Sequence, residues 1–399
     1  MPSRRKALVI VAIPAAACLL AIAPALDYAR GAAFVIQAAD LEGAPQTFAD
    51  WNTTEVVESG AQIPWRAGSL RARVYGPAAS GDTAQRVMQR PSDLSAPPTL
   101  LVPGVHASGI DEPRLQQFAR DVAASGRIVV TAELPDLKQY SITIRTTDMI
   151  EDAAVWLSSR SGFAEDGRIG MMGISFAGGL SIVAAARPSI RDRVAFVLSF
   201  GGHSDLPRTL KYLCTGRLPD GTMLPPHDYG IAIILLGVAD RLVPPEQAGP
   251  LRDAILAFLH ASHVDMWNKA EGQAEFARTR RMTEALPEPA RALMTYVNDR
   301  DVVRLGPLLL PLVAELGGDP ALSPAHSDPA AAVYLLHGTG DNVIPAAESE
   351  LLEGTLRARG VQVTQLATPL ITHAEVDGTP AARAIWDLVR FWTNLLSES

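Results

Sequence analysis

The feature that most restricts how this chain can fold is Arg168-Ile-Gly-Met-Met-Gly-Ile-Ser175-Phe-Ala-Gly-Gly-Leu180, an apolar run that halts at a serine and restarts as a small-residue helix. A serine hydroxyl is a weak nucleophile until it is held where a base can reach it. A tight strand-to-helix turn does this by keeping the serine backbone strained, the arrangement called a nucleophile elbow. Only small neighbours fit such a turn. Gly173 stands two residues before the serine and Ala177 two after it, followed by Gly178 and Gly179, so a helix can pack on its strand without side-chain collisions. The same G-x-S-x-A spacing also suits a plain tight turn in a Rossmann-like sheet, so its meaning depends on what the other strand ends supply.

From Thr99 onward, short apolar strands alternate with amphipathic helices, the signature of a mostly parallel sheet with helices on both faces. The pattern predicts strands over 99–102, 127–132, 169–173, 194–200, 332–336 and 361–367. It predicts helices over 111–126, 148–159, 176–186, 346–359 and 380–396. The last of these carries Ile385, Leu388, Val389, Trp392, Leu395 and Leu396 along its inner side. Upstream, Trp65 to Tyr75 alternates Leu70, Ala72 and Val74 with arginines and predicts an edge strand or hairpin closing at Gly76-Pro77. Leu41 to Gln62 reads as a polar stalk or lead-in, and Ala78 to Pro98 as a solvated loop.

The rhythm breaks after Gly201, where Ile231 to Leu236 reads as a strand and 250–263, 273–286 and 305–316 as helices. A chain of 399 residues, 48% of them apolar, has room for one large α/β domain with such an insertion. The expected organisation is a signal or anchor helix and stalk over 1–40, the first part of the α/β core over 41–200, an inserted helical cap over 201–330 and the second part of the core over 331–399.

Arg4-Arg5-Lys6 precedes an uncharged apolar run from Ala7 to Leu26. As a helix that run is about 30 Å long, the thickness of a bilayer's hydrocarbon. Basic residues before it and Asp27 after it place the leader in the cytoplasm and the remainder across the membrane. Two outcomes fit: a retained transmembrane anchor, or a signal peptide cut after Ala23-Pro-Ala25, giving a secreted or periplasmic protein. A lipidated Cys18 is a third. The net charge of −8 with no basic stripe argues against nucleic acid as a partner, and Cys18 and Cys214 are too differently placed to suggest a bridge.

In an open parallel sheet, reactive groups collect where strands end. After Tyr334-Leu-Leu336 comes His337-Gly-Thr-Gly-Asp341-Asn-Val-Ile-Pro345, which puts a carboxylate on a turn, and the loop after the next strand, Leu370-Ile-Thr-His373-Ala-Glu, carries an imidazole. A serine nucleophile needs a base to take its proton and an acid to orient and stabilise that base. Ser175, Asp341 and His373 follow in the required order, with His373 the only histidine downstream of Asp341. Asp240 is a rival acid, because Ile231-Ala-Ile-Ile-Leu-Leu-Gly237-Val-Ala-Asp240-Arg-Leu-Val-Pro244 repeats the glycine, aspartate and proline layout. Asp341 is favoured because its turn and the His373 loop follow consecutive strands. Negative charge developing on a substrate oxygen needs backbone N–H donors set in advance. Phe176, at a helix start, should provide one, and Val105, in the loop Pro103-Gly-Val-His-Ala-Ser-Gly109, the other. His106 can line the pocket or cap its loop. His203, in the Gly201-Gly202-His203 turn, reads as a solvated loop histidine.

With these motifs in place, the chain resembles the α/β-hydrolases, in the esterase, lipase and dienelactone-hydrolase-like part of that superfamily. The likeness covers roughly 70–200 and 332–396. It implies Ser175 as nucleophile, His373 as base and then acid, Asp341 as its partner, and Val105 with Phe176 as oxyanion donors. Dienelactone hydrolases have a cysteine where this chain has Ser175, which points to ordinary esters, and many relatives have His-Gly where it has Pro103-Gly104. The expected activity is cleavage of a small-molecule carboxylic ester, with no metal or nucleotide motif and no cofactor. Amide or peptide hydrolysis, acyl transfer, and a silent scaffold that only binds are the alternatives. Leu308 to Leu312 and Met223-Leu-Pro hint at an apolar acyl pocket or at plain core.

Overall fold

The computed structural model describes residues 24–78, 96–160, 163, 166–371 and 382–398. Its centre is an eight-stranded sheet in the order β1-β2-β4-β3-β5-β6-β7-β8. The first two strands, β1 (Val56–Trp65) and β2 (Gly68–Pro77), form an antiparallel hairpin, and β2 is also antiparallel to β4 (Val129–Ala132). The remaining neighbours are parallel: β4 to β3 (Thr99–Val102), then β5 (Ile169–Ile174), β6 (Val194–Phe200), β7 (Ala332–Gly338) and β8 (Val363–Thr368). The hairpin alternates polar and apolar residues because one side stays wet. Strands β3 and β4 are buried at every position, as expected of strands covered on both faces.

The helices, in chain order, are α1 (24–38 among the described residues), α2 (Ala44–Trp51), α3 (Pro113–Ala124), α4 (Pro135–Lys138), α5 (Ile144–Ser158) and α6 (Phe176–Ala185). Seven more make the insertion: α7 (Leu206–Thr215), α8 (Asp228–Leu242), α9 (Pro245–Trp267), α10 (Lys269–Glu284), α11 (Ala290–Asn298), α12 (Val302–Leu309) and α13 (Val313–Gly317). The chain then returns to the sheet with α14 (Ala347–Ala358) and α15 (Ala382–Leu396). Alternation along the strands divides the core in two. Leu100, Val102, Met171 and Val197 face α5, α6 and α14, and that cluster runs on without a break into Ile231, Leu235, Leu251 and Phe258 of the insertion. Leu101, Met172 and Leu198 face α1, α3 and α15 on the other side.

The structure corrects several expectations. Ile231 to Leu236 is not a strand but the middle of α8. A short, uniformly apolar run has no period of its own, and here its neighbours cover it nearly all round, which suits a buried helix as well as a buried strand. Leu41 to Gln62 is no stalk: it contains α2 and most of β1. Ile385 lies partly exposed rather than on the inner side of α15.

Residues 1–23, with most of the apolar run ending at Leu26, lie outside the described residues, and no described helix is long and apolar enough to cross a membrane. What is described of 1–40 packs on the sheet. In α1 the Phe34 ring lies 4.2 Å from Trp392 and 6.0 Å from Phe118, and Tyr28 stacks on Trp386 at 5.3 Å. The far end of α15 is pinned by Arg127, whose buried guanidinium donates to the carbonyls of Leu396 and Glu398, each at 2.8 Å, and lies over the Phe196 ring. The Leu396 carbonyl is at the end of the helix, where carbonyls have no partner within it.

Because Phe34 is fully buried between α3 and α15, Phe34→Ala should cost about 3–5 kcal/mol in urea unfolding. A chain shortened to begin at residue 24 should keep the parent's unfolding midpoint, whereas one beginning at residue 41 should lose much of it.

Candidate active site

Ser175 ends β5 and opens α6 with φ 56° and ψ −135°, a left-handed conformation that a non-glycine residue adopts only under constraint. The constraint is visible on both sides. The Ser175 N–H donates to the Phe200 carbonyl of the adjacent β6 at 2.7 Å, and its own carbonyl accepts from the Gly178 N–H at 2.8 Å. A Cβ on Gly173 would stand 2.3 Å from the Ala177 carbonyl oxygen, and one on Gly178 would stand 2.5 Å from Ser199 Oγ. Both glycines are there for the close approach of helix to strands.

Strand β3 lies between β4 and β5, so the chain leaves it in one direction and returns on the other side, which opens a crevice at the carboxyl ends of β3 and β5. The crevice is a cavity of about 900 Å³ lined by Ser175 and Phe176 from one edge, by Gly104, Val105 and His106 from the other, and by Asp341 from the end of β7. The serine, its acid candidate and both oxyanion candidates therefore meet in one space. Phe176 is the first residue of α6, where a helix leaves its N–H unused.

Asp341 is buried. Its Oδ1 accepts from the N–H groups of Val343 and Ile344 at 2.9 and 3.0 Å, and its Oδ2 lies 3.4 Å from His337 Nε2. His337 is fully buried and braces that turn from behind, donating from Nε2 to the Ile344 carbonyl at 2.7 Å while Nδ1 meets Ser349 Oγ at 2.6 Å. Asp240, the rival acid, is excluded from the cavity: it sits near the end of α8, exposed, with Arg252 at 2.9 Å. Gly237 lies inside α8 and Pro244 caps the start of α9, so the spacing that suggested a strand end belongs to two successive helices.

His373 lies outside the described residues. The chain is described up to Ile371, which lines the cavity, and the Ile371 carbonyl passes so close over the end of β7 that a Cβ on Gly338 would stand 2.1 Å from it. His203 is no solvated loop residue. It is fully buried, donates from Nε2 to the Leu322 carbonyl at 2.8 Å, and packs against Gly179 and Phe176 behind the elbow. Burial pushes its pKa down.

The insertion roofs the cavity with His227 and Tyr229 at the start of α8 and with Leu259, His263 and Met266 of α9. Leu308 to Leu312 and Met223, the apolar residues that hinted at an acyl pocket, do not line it; Met223 and Leu308 are exposed on the surface. Two cap contacts reach the Val105 loop. The Tyr229 hydroxyl donates to the Val105 carbonyl at 2.8 Å, and His106 Nε2 meets His263 Nδ1 at 2.9 Å. His106 also accepts the Ser108 N–H on Nδ1 at 3.1 Å, so it both lines the pocket and caps its loop. Nothing in the sequence marked Tyr229 or His263, because each sits at ordinary helix spacing in a segment with no motif.

The architecture resembles that of the α/β-hydrolases. No protein-family model matches the chain, and no curated protein does. Solved structures that are similar to it include an esterase of Pyrobaculum calidifontis, with 15% identity, 93% of this chain and 88% of that one covered and a TM-score of 0.42. A thermostable carboxylesterase cloned from a metagenomic library is similar at 16% identity, with 92% and 93% covered and a TM-score of 0.44. A putative dienelactone hydrolase of Klebsiella pneumoniae is similar at 13% identity, with 86% and 98% covered and a TM-score of 0.42.

Burial, reinforced by the neighbouring His263, holds the His106 pKa down to about 4 from an ordinary 6.5, and burial lowers that of His263 too. In the unfolded chain both titrate near the ordinary value, so their neutral forms contribute stability in full above about pH 6.5, and this is lost as the pH falls towards 4. The urea midpoint should therefore fall between pH 6.5 and 4, and His106→Asn, which keeps an acceptor for Ser108 but cannot titrate, should flatten part of that slope.

Proposed function

We propose that the chain is a serine hydrolase that cleaves carboxylic esters through an acyl-enzyme. The reading is carried by one observation: Ser175 is held in a left-handed backbone at the carboxyl end of β5, at the wall of a cavity that it shares with the buried Asp341 turn and with Val105 and Phe176. In this reading the Ser175 hydroxyl attacks the ester carbonyl while His373 takes its proton. The N–H groups of Val105 and Phe176 stabilise the oxyanion of the tetrahedral intermediate. His373 then protonates the departing alcohol, and a water activated by the same imidazole hydrolyses the acyl-serine. Asp341 holds the imidazole in the productive tautomer. The order Ser175, Asp341, His373 supports this assignment, as does Ile371, which reaches the cavity wall two residues before His373. Leu259, Met266, Phe118, Phe200 and Ile371 give the cavity apolar walls, which favours an ester with an apolar acyl or alcohol group.

The decisive measurement is hydrolysis of p-nitrophenyl esters of short and long acyl chains. Ser175→Ala should lower kcat by at least about 10³-fold, and Asp341→Asn should lower it by about 10²- to 10⁴-fold. Asp240→Asn, on the exposed end of α8, should stay close to the parent. Release of nitrophenol by Ser175→Ala at the parent rate would sink the reading.

We also propose that the protein is exported across, or retained at, a membrane, a reading supported by Arg4-Arg5-Lys6 and the apolar run from Ala7 to Leu26. On fractionation of expressing cells the full chain should be found with the membranes, or in the extracytoplasmic fraction in a shortened form. A full-length protein recovered from the cytoplasm would exclude both outcomes.

A further inference from the structure

The loop that leaves β3 has to aim one backbone amide at the substrate oxygen, and the sheet alone does not aim it. On the sheet side the loop comes close at Gly104, where a Cβ would stand 3.5 Å from the Ile174 carbonyl oxygen and 3.7 Å from the Ser175 Cβ. From there to Gly109 the chain is turned by its own Gly109 N–H to His106 carbonyl bond at 3.0 Å and tied by a hydrogen bond between the Ala107 backbone and Tyr140, and at Val105 and His106 two further holds come from the insertion. The Tyr229 hydroxyl, on the first turn of α8, donates to the Val105 carbonyl at 2.8 Å. Its ring is braced edge-on by Tyr140, with centroids 6.0 Å apart. One residue further along, His106 meets His263 of α9. The Ser108 N–H donates to His106 Nδ1, so the His106 proton is on Nε2 and is donated to His263 Nδ1. Glu112 and Arg114 at the start of α3 and His260 one turn back on α9 are the charged and titratable groups around this pair.

We propose that Tyr229 and His263 are positioning residues through which the cap sets the oxyanion donor at Val105. The proposal rests on the serine-hydrolase reading. The Val105 N–H and C=O belong to one residue, so with Gly104 held against the elbow and the Val105 carbonyl held by Tyr229, the torsions between them, and with them the direction of the N–H, are determined. The His263 hydrogen bond closes the next link and stops the loop from swinging about Val105. The inserted helices in this view do more than shape the cavity. They complete the electrostatic site, and a displacement of about 1 Å in such a donor can cost on the order of 10²-fold in rate.

The test uses the full chain, an ester that the parent hydrolyses, and a trifluoromethyl ketone whose hydrated or serine-bound oxyanion mimics the intermediate. Tyr229→Phe removes the hydrogen bond to the Val105 carbonyl and little volume. It should lower kcat by about 10- to 100-fold with KM within about threefold of the parent, and should weaken the ketone in proportion to the fall in kcat/KM. His263→Leu should behave alike, and His263→Asn, whose side-chain carbonyl can stand in for Nδ1, should recover most of the loss. A kcat for Tyr229→Phe within threefold of the parent, an effect confined to KM, or equal losses in His263→Asn and His263→Leu would overturn the proposal. If the parent neither hydrolyses esters nor reacts with a fluorophosphonate at Ser175, the hydrolase reading falls and this proposal with it. A parent that reacts normally beside an unimpaired Tyr229→Phe overturns the proposal alone.

Discussion

The rest of this structure depends on one turn of backbone. Ser175 holds a conformation that costs on the order of 1–3 kcal/mol, and it can persist only because the elements around it leave no alternative. Helix α6 is buried along its whole length and lies so close to β5 and β6 that the glycines at 173 and 178 have no room for a methyl group. That closeness in turn requires the neighbouring strands to be short and apolar, with helices closing both faces. His203 adds a brace from behind, its fully buried ring filling the space beside Gly179.

The acid turn is built on the same principle of overdetermination. Two backbone N–H groups hold one oxygen of Asp341 and His337 stands near the other, itself tied to Ile344 and Ser349. A carboxylate so held can orient a base without reorganising when charge appears, which is where preorganised sites gain over water. Further along the sheet edge, Glu348 is buried and accepts from Ser204, Asp205 and Arg208 at the entry to the insertion. The cap is thus joined to the core by a charge-assisted network at its base, by a continuous apolar core through its middle, and by Tyr229 and His263 at its tip.

Much of this architecture could be read from the order of residues. The alternation of short apolar runs with amphipathic helices gives a parallel sheet because only a strand covered on both faces tolerates runs such as Thr99 to Val102 or Val194 to Phe200. The small residues around Ser175 announced a close strand-to-helix turn, and glycine, aspartate and proline after β7 announced a carboxylate at a strand end. The reading failed where periodicity carries no information. Ile231 to Leu236 is apolar at every position, and its state was decided by the helices packed around it. Asp240 shares its local punctuation with Asp341, yet one is exposed on a helix and the other buried in a turn.

By itself, the sequence determined that this chain has a serine on a tight strand-to-helix turn and an aspartate on a turn after a later strand, because local sterics and turn chemistry act over a few residues. Tertiary structure alone decided which aspartate reaches the cavity, that the helix over 24–38 belongs to the core, and that two cap residues with no motif, Tyr229 and His263, reach the loop that carries Val105 and His106. Those outcomes depend on contacts between segments more than a hundred residues apart, whose hydrogen bonds and packing leave no periodic trace along the chain.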